Sequence, residues 1–153
     1  FYKRVNRGDI FYPDNKLSIL IFAPDSTFAT SESNVNNRSI VFKLQYDSVS
    51  VLFTGDIEME GENKLVQFGD ELSADILKIG HHGSITSSTV SFLRTVEPNL
   101  AVISVGWKNK FNHPSPIVIN RLEDLDISYH RNDLDRALWL EIDGKKYSRK
   151  KWN

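Results

Sequence analysis

The sequence predicts an α/β layered fold, and three observations carry the prediction. Strand-like and helix-like runs alternate through the middle of the chain, the order expected of a sheet backed by helices. The run LAVISVG, residues 100–106, is almost continuously apolar, as a strand buried on both faces is. Asp56, His81, His82 and His113 each fall just after a strand-like run, where layered α/β folds place functional groups.

The elements follow in order. Residues 16–24, KLSILIFAP, form a short apolar run closed by Pro24, a predicted strand. Residues 25–38 are rich in Ser, Thr, Asn and Asp with no hydrophobic period, so a loop is predicted. SIVFKLQY (39–46) and SVSVLFTGD (48–56) are β-rich and meet at Asp47 and Ser48, a hairpin. The segment 57–68 reads as a helix, with Glu58, Glu60 and Glu62 early, where carboxylates suit the positive end of the helix dipole.

Residues 74–80 read as a strand, 88–96 as a helix and 100–106 as a buried strand. The run 115–125 is amphipathic, with Pro116 near its start, where proline is tolerated. A further strand is expected near 128–130. In 136–152, Asp143-Gly144 separates two strand-like runs, a second hairpin signal. No internal repeat or low-complexity segment interrupts this order.

At 153 residues the chain fits one domain with a sizeable core. Hydrophobic residues make up 40% and charged residues 25%, ordinary for a globular protein. A net charge of -1 provides no global positive field, so attraction to nucleic acid must come from a local patch or a metal. There is no cysteine, which excludes disulfides and thiolate zinc sites. No apolar run approaches the roughly 20 residues that span a bilayer. The opening segment 1–15 lacks the apolar region of a signal peptide and reads as the interior of a longer protein. Lys145, Lys146, Arg149, Lys150 and Lys151 form a basic tail, read as a solvated end.

Two of the four histidines, His81 and His82, stand side by side after a strand-like run; Asp56 ends another, and His113 follows a third with Asn109. Imidazole and carboxylate are the usual donors to catalytic zinc and manganese. A carboxylate can also bridge two ions about 3.5–4 Å apart, as two-metal phosphoesterases require. Each residue has a plainer reading. Asp56 would also serve as the N-cap of the following helix. His81 and His82 would point to opposite faces if both lay on a strand, leaving one for packing or orientation. His113 and, more so, His130 read as ordinary loop residues when taken singly.

Four phrases together resemble a known family: NRSIV (37–41), TGD (54–56), HHGS (81–84) and NKFNHP (109–114). Their order and spacing resemble the C-terminal half of a metallo-β-lactamase-fold hydrolase of the ComEC-type DNA-internalisation competence proteins, over roughly three quarters of the chain. The resemblance implies one half of an αβ/βα sandwich, with mixed sheets flanked by helices, and residues 1–153 as the C-terminal portion of a single domain. It implies Asp56 as a metal-bridging carboxylate, His82 as a histidine ligand and His81 as a catalytic or orienting group. His113 is implied as a catalytic residue, with direct ligation the alternative. Ser84 and Asn109 are implied as substrate contacts.

The family's principal H-x-H-x-D-H signature is absent from this sequence, and Ala23 stands where a ligand histidine is often found. The expected activity belongs to the complete domain: a phosphodiesterase acting on DNA with two divalent ions, zinc or manganese, the present chain alone being inactive. The expected setting is DNA uptake by a membrane protein. Its partners are DNA, the membrane-spanning channel portion and other uptake components, and the domain lies outside the cytoplasm. Two alternatives stay open: a soluble phosphoesterase of another substrate, and a non-catalytic half-domain for DNA contact or assembly.

Overall fold

The computed structural model describes residues 4–25 and 35–151. A seven-stranded sheet runs in sequence order: β1 (Ile10–Phe11), β2 (Leu17–Ala23), β3 (Val41–Tyr46), β4 (Val49–Phe53), β5 (Ile76–Lys78), β6 (Leu100–Ile103) and β7 (Ser128–Arg131). The first four strands pair antiparallel, whereas β4, β5, β6 and β7 are parallel neighbours. Each parallel connection carries a helix: α1 (Met59–Leu65), α2 (Val90–Val96) and α3 (Pro116–Asp124). A short helix α4 (Asn132–Asp135) then leads to the separate hairpin of β8 (Trp139–Ile142) and β9 (Tyr147–Lys150).

Local chemistry explains the helix starts. Thr89 caps α2 by accepting the Phe92 amide, and Ser115 caps α3 by accepting the Ile117 amide, with Pro116 in the first turn. Strand alternation then sorts the core. Leu52, Leu77 and Ala101 share one register row and pack with Leu65, Phe92, Leu93, Val96, Val118 and Leu122 of the helices, all fully or almost fully buried. Each large apolar side chain removed from water here contributes about 1.5–3 kcal/mol. Val51 and Ile76 lie in the adjacent register row, outside that cluster. On their face Phe42 stacks on Phe53, with ring centroids 4.8 Å apart. Leu138 and Leu140 border a crevice of about 250 Å³ there with Val51, Phe53 and Ile76.

The mixed sheet flanked by helices matches the predicted α/β class, and several details correct the sequence reading. The helix predicted over 57–68 begins at Met59 and passes at Val66 into a 3-10 turn, Val66–Leu72, broken at Gly69 by a φ of 51°. Asp56 is not its N-cap. A turn closed by Ile57 N–H donating to the Thr54 carbonyl separates strand from helix, and Glu58 takes the cap position. His81 and His82 lie beyond β5 in the turn Gly80–Gly83, not on a strand. His130 is a buried residue of β7 rather than a loop residue, with Nε2 3.0 Å from the Arg136 carbonyl. Strand β1 and helix α4 lacked a sequence signal. Of the loop predicted over 25–38, residues 26–34 lie outside the described residues, and Val35–Arg38 forms a 3-10 turn.

Candidate metal-binding site at the strand ends

Because β4, β5 and β6 are parallel, their carboxyl ends open on one edge of the sheet. The segment after β4 carries Asp56, the turn after β5 carries His81 and His82, and the loop after β6 carries Asn109 and His113. These residues are far apart in the sequence, and the sheet brings them together.

The Asp56 segment is fixed from below. Gly55 has φ +55°, and a Cβ there would sit 2.7 Å from the Ser39 Cβ, so the close approach requires glycine. Ser39 Oγ accepts the Asp56 amide at 2.9 Å, and Asn37 Oδ1 accepts the Glu58 amide at 2.9 Å. The phrase NRSIV thus positions the TGD turn by side chain-to-backbone bonds. Lys78 donates to the Gly55 carbonyl at 3.0 Å. Burial lowers the Lys78 amine from its ordinary range, and the neighbouring Asp56 charge opposes that.

His81 and His82 both adopt left-handed backbone, with φ of 45° and 55°. Consecutive non-glycine residues in that region store strain of the kind found at functional sites. The turn is pinned where the His81 amide donates to the Gly55 carbonyl at 3.2 Å. Gly83 has φ +82°, and a Cβ there would meet the Pro114 Cβ at 2.6 Å, so this glycine lets the two loops touch. The Ser115 amide closes the junction by donating to the Gly83 carbonyl at 2.8 Å.

His82 Nδ1 lies 2.6 Å from the Ser104 carbonyl, which only an Nδ1–H donor satisfies. In the neutral ring this leaves the Nε2 lone pair free. That atom faces Asp56 Oδ1 at 3.7 Å, with both side chains nearly half exposed. A histidine whose second nitrogen is tied to a carbonyl has the arrangement of a metal-ligating imidazole. Two donors on one tetrahedral ion with bonds of 2.0–2.1 Å stand about 3.3 Å apart, close to the observed spacing. The donor chemistry of Asp56 and His82 therefore fits part of a metal shell. Among the described residues no group of three or more His, Cys, Asp or Glu encloses a metal position.

His81 Nδ1 lies 3.0 Å from Glu58 Oε1, close enough for an ion pair though not aligned as a hydrogen bond. The His81 and His113 rings meet edge to face, centroids 5.7 Å apart. Burial first, then the nearby His81 and His82, lowers the His113 imidazole from its ordinary value, which favours the neutral ring. His82, Ser104, Asn109, Phe111 and His113 border one cavity of about 470 Å³.

Two residues expected to contact substrate have other partners. Ser84 is 5% exposed, and its hydroxyl lies 2.9 Å from Thr86 Oγ1. The Asn109 carboxamide donates to the Gly106 and His113 carbonyls and accepts the Phe111 and His113 amides, so both its ends hold the loop. Ala23 is fully buried in the helix-side core.

The sequence reading missed Glu62 as a site-building residue. It is fully buried and accepts the amides of Ser88 and Thr89, where the histidine loop enters α2. Arg121 donates to the carbonyls of Ser87 and Ser88 at 3.0 and 3.1 Å, completing the clamp. Burial raises the Glu62 carboxyl above its ordinary range, outweighing these amides and Arg121. The one signal was an acidic residue placed for a helix face that turned inward.

No family model matches the chain. ComE operon protein 3 of Bacillus subtilis is 33% identical over 131 residues, covering 86% of this chain and 16% of that protein. Competence protein ComA of Neisseria gonorrhoeae is 40% identical over 104 residues, covering 67% of this chain and 15% of that protein. The chain thus spans about one-sixth of the length of these relatives. In fold it is similar to the crystal structure of a protein assigned as a metal-dependent hydrolase from Parabacteroides distasonis. That match has a TM-score of 0.56 and 16% identity, over 86% of this chain and 58% of that one.

Proposed function

Since the chain belongs to the ComEC-type domains of metallo-β-lactamase fold, we propose that it forms the C-terminal portion of a metal-dependent phosphodiesterase acting on DNA during uptake. The observation that carries this reading is the facing of His82 Nε2 and Asp56 Oδ1 at 3.7 Å. In the complete domain these two side chains would hold divalent metal together with ligands from a preceding portion, if that portion bears the family's H-x-H-x-D-H. When bound, two such ions supply an activated water and offset the charge that develops on the phosphate.

This chain's own residues perform the remaining tasks. The Ser104 carbonyl holds His82 in the ligating tautomer. His113 borders the cavity and His81 meets its ring, as groups for proton transfer or phosphate contact. Asn109 acts as a positioning residue, shaping the loop that carries His113. Glu62 and Arg121 hold the far end of the histidine loop.

The names of the competence relatives support the DNA-uptake setting. By the same reasoning the parent is a membrane protein with this domain outside the cytoplasm, joined to its channel portion and other uptake components. Among the described residues no helix is long and apolar enough to cross a membrane. The test is DNA cleavage by the complete domain with added zinc or manganese, comparing wild type with Asp56→Asn. Loss of cleavage is expected, and wild-type rates in the variant would overturn the assignment.

A further inference from the structure

The loop between β6 and α3 carries a feature that the metal chemistry does not use. Among the described residues, Trp107 is 70% exposed and Phe111 66% exposed. Two large rings left in water within five residues of one otherwise polar loop make it a candidate binding surface. Each is accompanied by a cation: Lys108 Nζ lies 4.3 Å from the Trp107 ring centre, and Lys110 Nζ 5.1 Å from that of Phe111. The loop is also preorganised, since four hydrogen bonds of the Asn109 carboxamide fix its turn.

The placement says what such a surface would take. Phe111 stacks on His113, with centroids 5.9 Å apart and planes 21° from parallel, and it borders the cavity that also holds His82. A flat ring laid on Phe111 therefore lies beside the site where His82 faces Asp56. Aromatic faces interleaved with lysines suit a chain of flat bases joined by anionic phosphates, with stacking on the rings and the ammonium groups near the backbone. A duplex hides its base faces in the stack, so only unpaired bases can use the rings.

We propose that the Trp107–Phe111 loop is a stacking platform for single-stranded DNA, which leads an unpaired strand toward the candidate metal-binding edge. The proposal rests on DNA being the substrate, and it adds the residues that hold an unpaired strand beside the site. Binding to the platform needs no metal and no hydrolysis, so it is separable from the catalytic reading. A membrane-surface role for the same rings and lysines is the competing outcome. It is less favoured because Phe111 borders the cavity of His82 and His113.

The test is fluorescence anisotropy of a labelled 15-nucleotide oligo-dT with the 153-residue chain in EDTA, beside the matching duplex and vesicles of phosphatidylglycerol. Expected results are tighter binding of oligo-dT than of duplex, and about tenfold weaker oligo-dT binding in Trp107→Ala. Phe111→Leu, which keeps an apolar body and removes the ring, is expected to show a similar loss. The double variant Lys108→Gln/Lys110→Gln is expected to flatten the slope of log affinity against log salt by about 1.4, at about 0.7 per phosphate contact. Circular dichroism confirms that each exposed-site variant stays folded. Three outcomes would each overturn the platform: no oligo-dT binding by wild type, unchanged binding in both ring variants, or losses confined to vesicle binding. If ring variants lose oligo-dT binding while Asp56→Asn keeps full cleavage in the complete domain, the platform stands and the catalytic reading falls.

Discussion

His82 presents Nε2 to Asp56 Oδ1 across 3.7 Å, while the Ser104 carbonyl fixes the opposite ring nitrogen at 2.6 Å. This relationship joins the ends of two parallel strands through side chains and sets the first prediction. Because Asp56 does not cap α1, replacing it by Asn leaves helix and fold untouched. Metal-free stability is expected to change by less than about 0.5 kcal/mol, as for other exposed sites. DNA cleavage by the complete domain is expected to fall by at least about 100-fold, since even partners of ligands cost 10–100-fold when lost. Cleavage assays and melting curves of the metal-free protein check the two halves.

The 153-residue chain by itself is expected to bind zinc or manganese weakly. It offers Asp56 and His82, with His113 further round the cavity, whereas a catalytic zinc takes about three protein ligands. Calorimetric titration measures the affinity, and tight binding of two ions per chain would refute the expectation. In a parallel titration followed by NMR, imidazole nitrogen shifts are expected to show His82 protonated at Nδ1, with metal perturbing His82 and leaving buried His130 unchanged.

Asn109→Asp keeps the carbonyl oxygen that accepts the Phe111 and His113 amides but removes both N–H donors to Gly106 and His113. Loss of these bonds is expected to cost about 1–3 kcal/mol. The damage should be local, with hydrogen exchange accelerating at Phe111 and His113 and not in α2. Unchanged protection in that loop would show that the carboxamide does not shape it.

Glu62→Ala strands two buried amides and is expected to destabilise the fold by about 3 kcal/mol. Wild-type Glu62 also carries a pH signature. Burial raises its carboxyl in the folded state, so between the ordinary carboxylate range and the raised value the fold retains a proton that the unfolded chain releases. Its contribution is then complete below the ordinary range and is lost as pH rises through the raised value. Denaturant titrations from about pH 4 to about pH 7 should show wild type losing stability relative to Glu62→Gln, which cannot titrate. Parallel pH profiles for the two would contradict the raised carboxyl.

Much of the architecture was legible in the sequence because it depends on local chemistry. Pro116 after Ser115 marked the start of α3, and Asp143-Gly144 marked the β8–β9 hairpin. The apolar runs around Leu77 and Ala101 marked strands, and their parallel pairing in the sheet places Asp56, His81, His82 and His113 on one edge. What the sequence could not show depended on contacts between distant segments. A carboxylate at Glu62 reads as a solvated helix residue until α2 packs over it, and only then does it bind Ser88 and Thr89. Asn37 read as a loop residue and Ser39 as the start of a strand until the Asp56 turn descends on them. Asp56 taken alone read more readily as a helix cap, and the family resemblance made it a ligand. The tertiary structure removes the capping reading, because a turn separates Asp56 from α1, Glu58 takes the cap position and the Asp56 carboxylate faces His82. Local periodicity is a property of neighbours in the chain, whereas a side chain's partner is set by whichever segment the fold brings within about 3–4 Å of it.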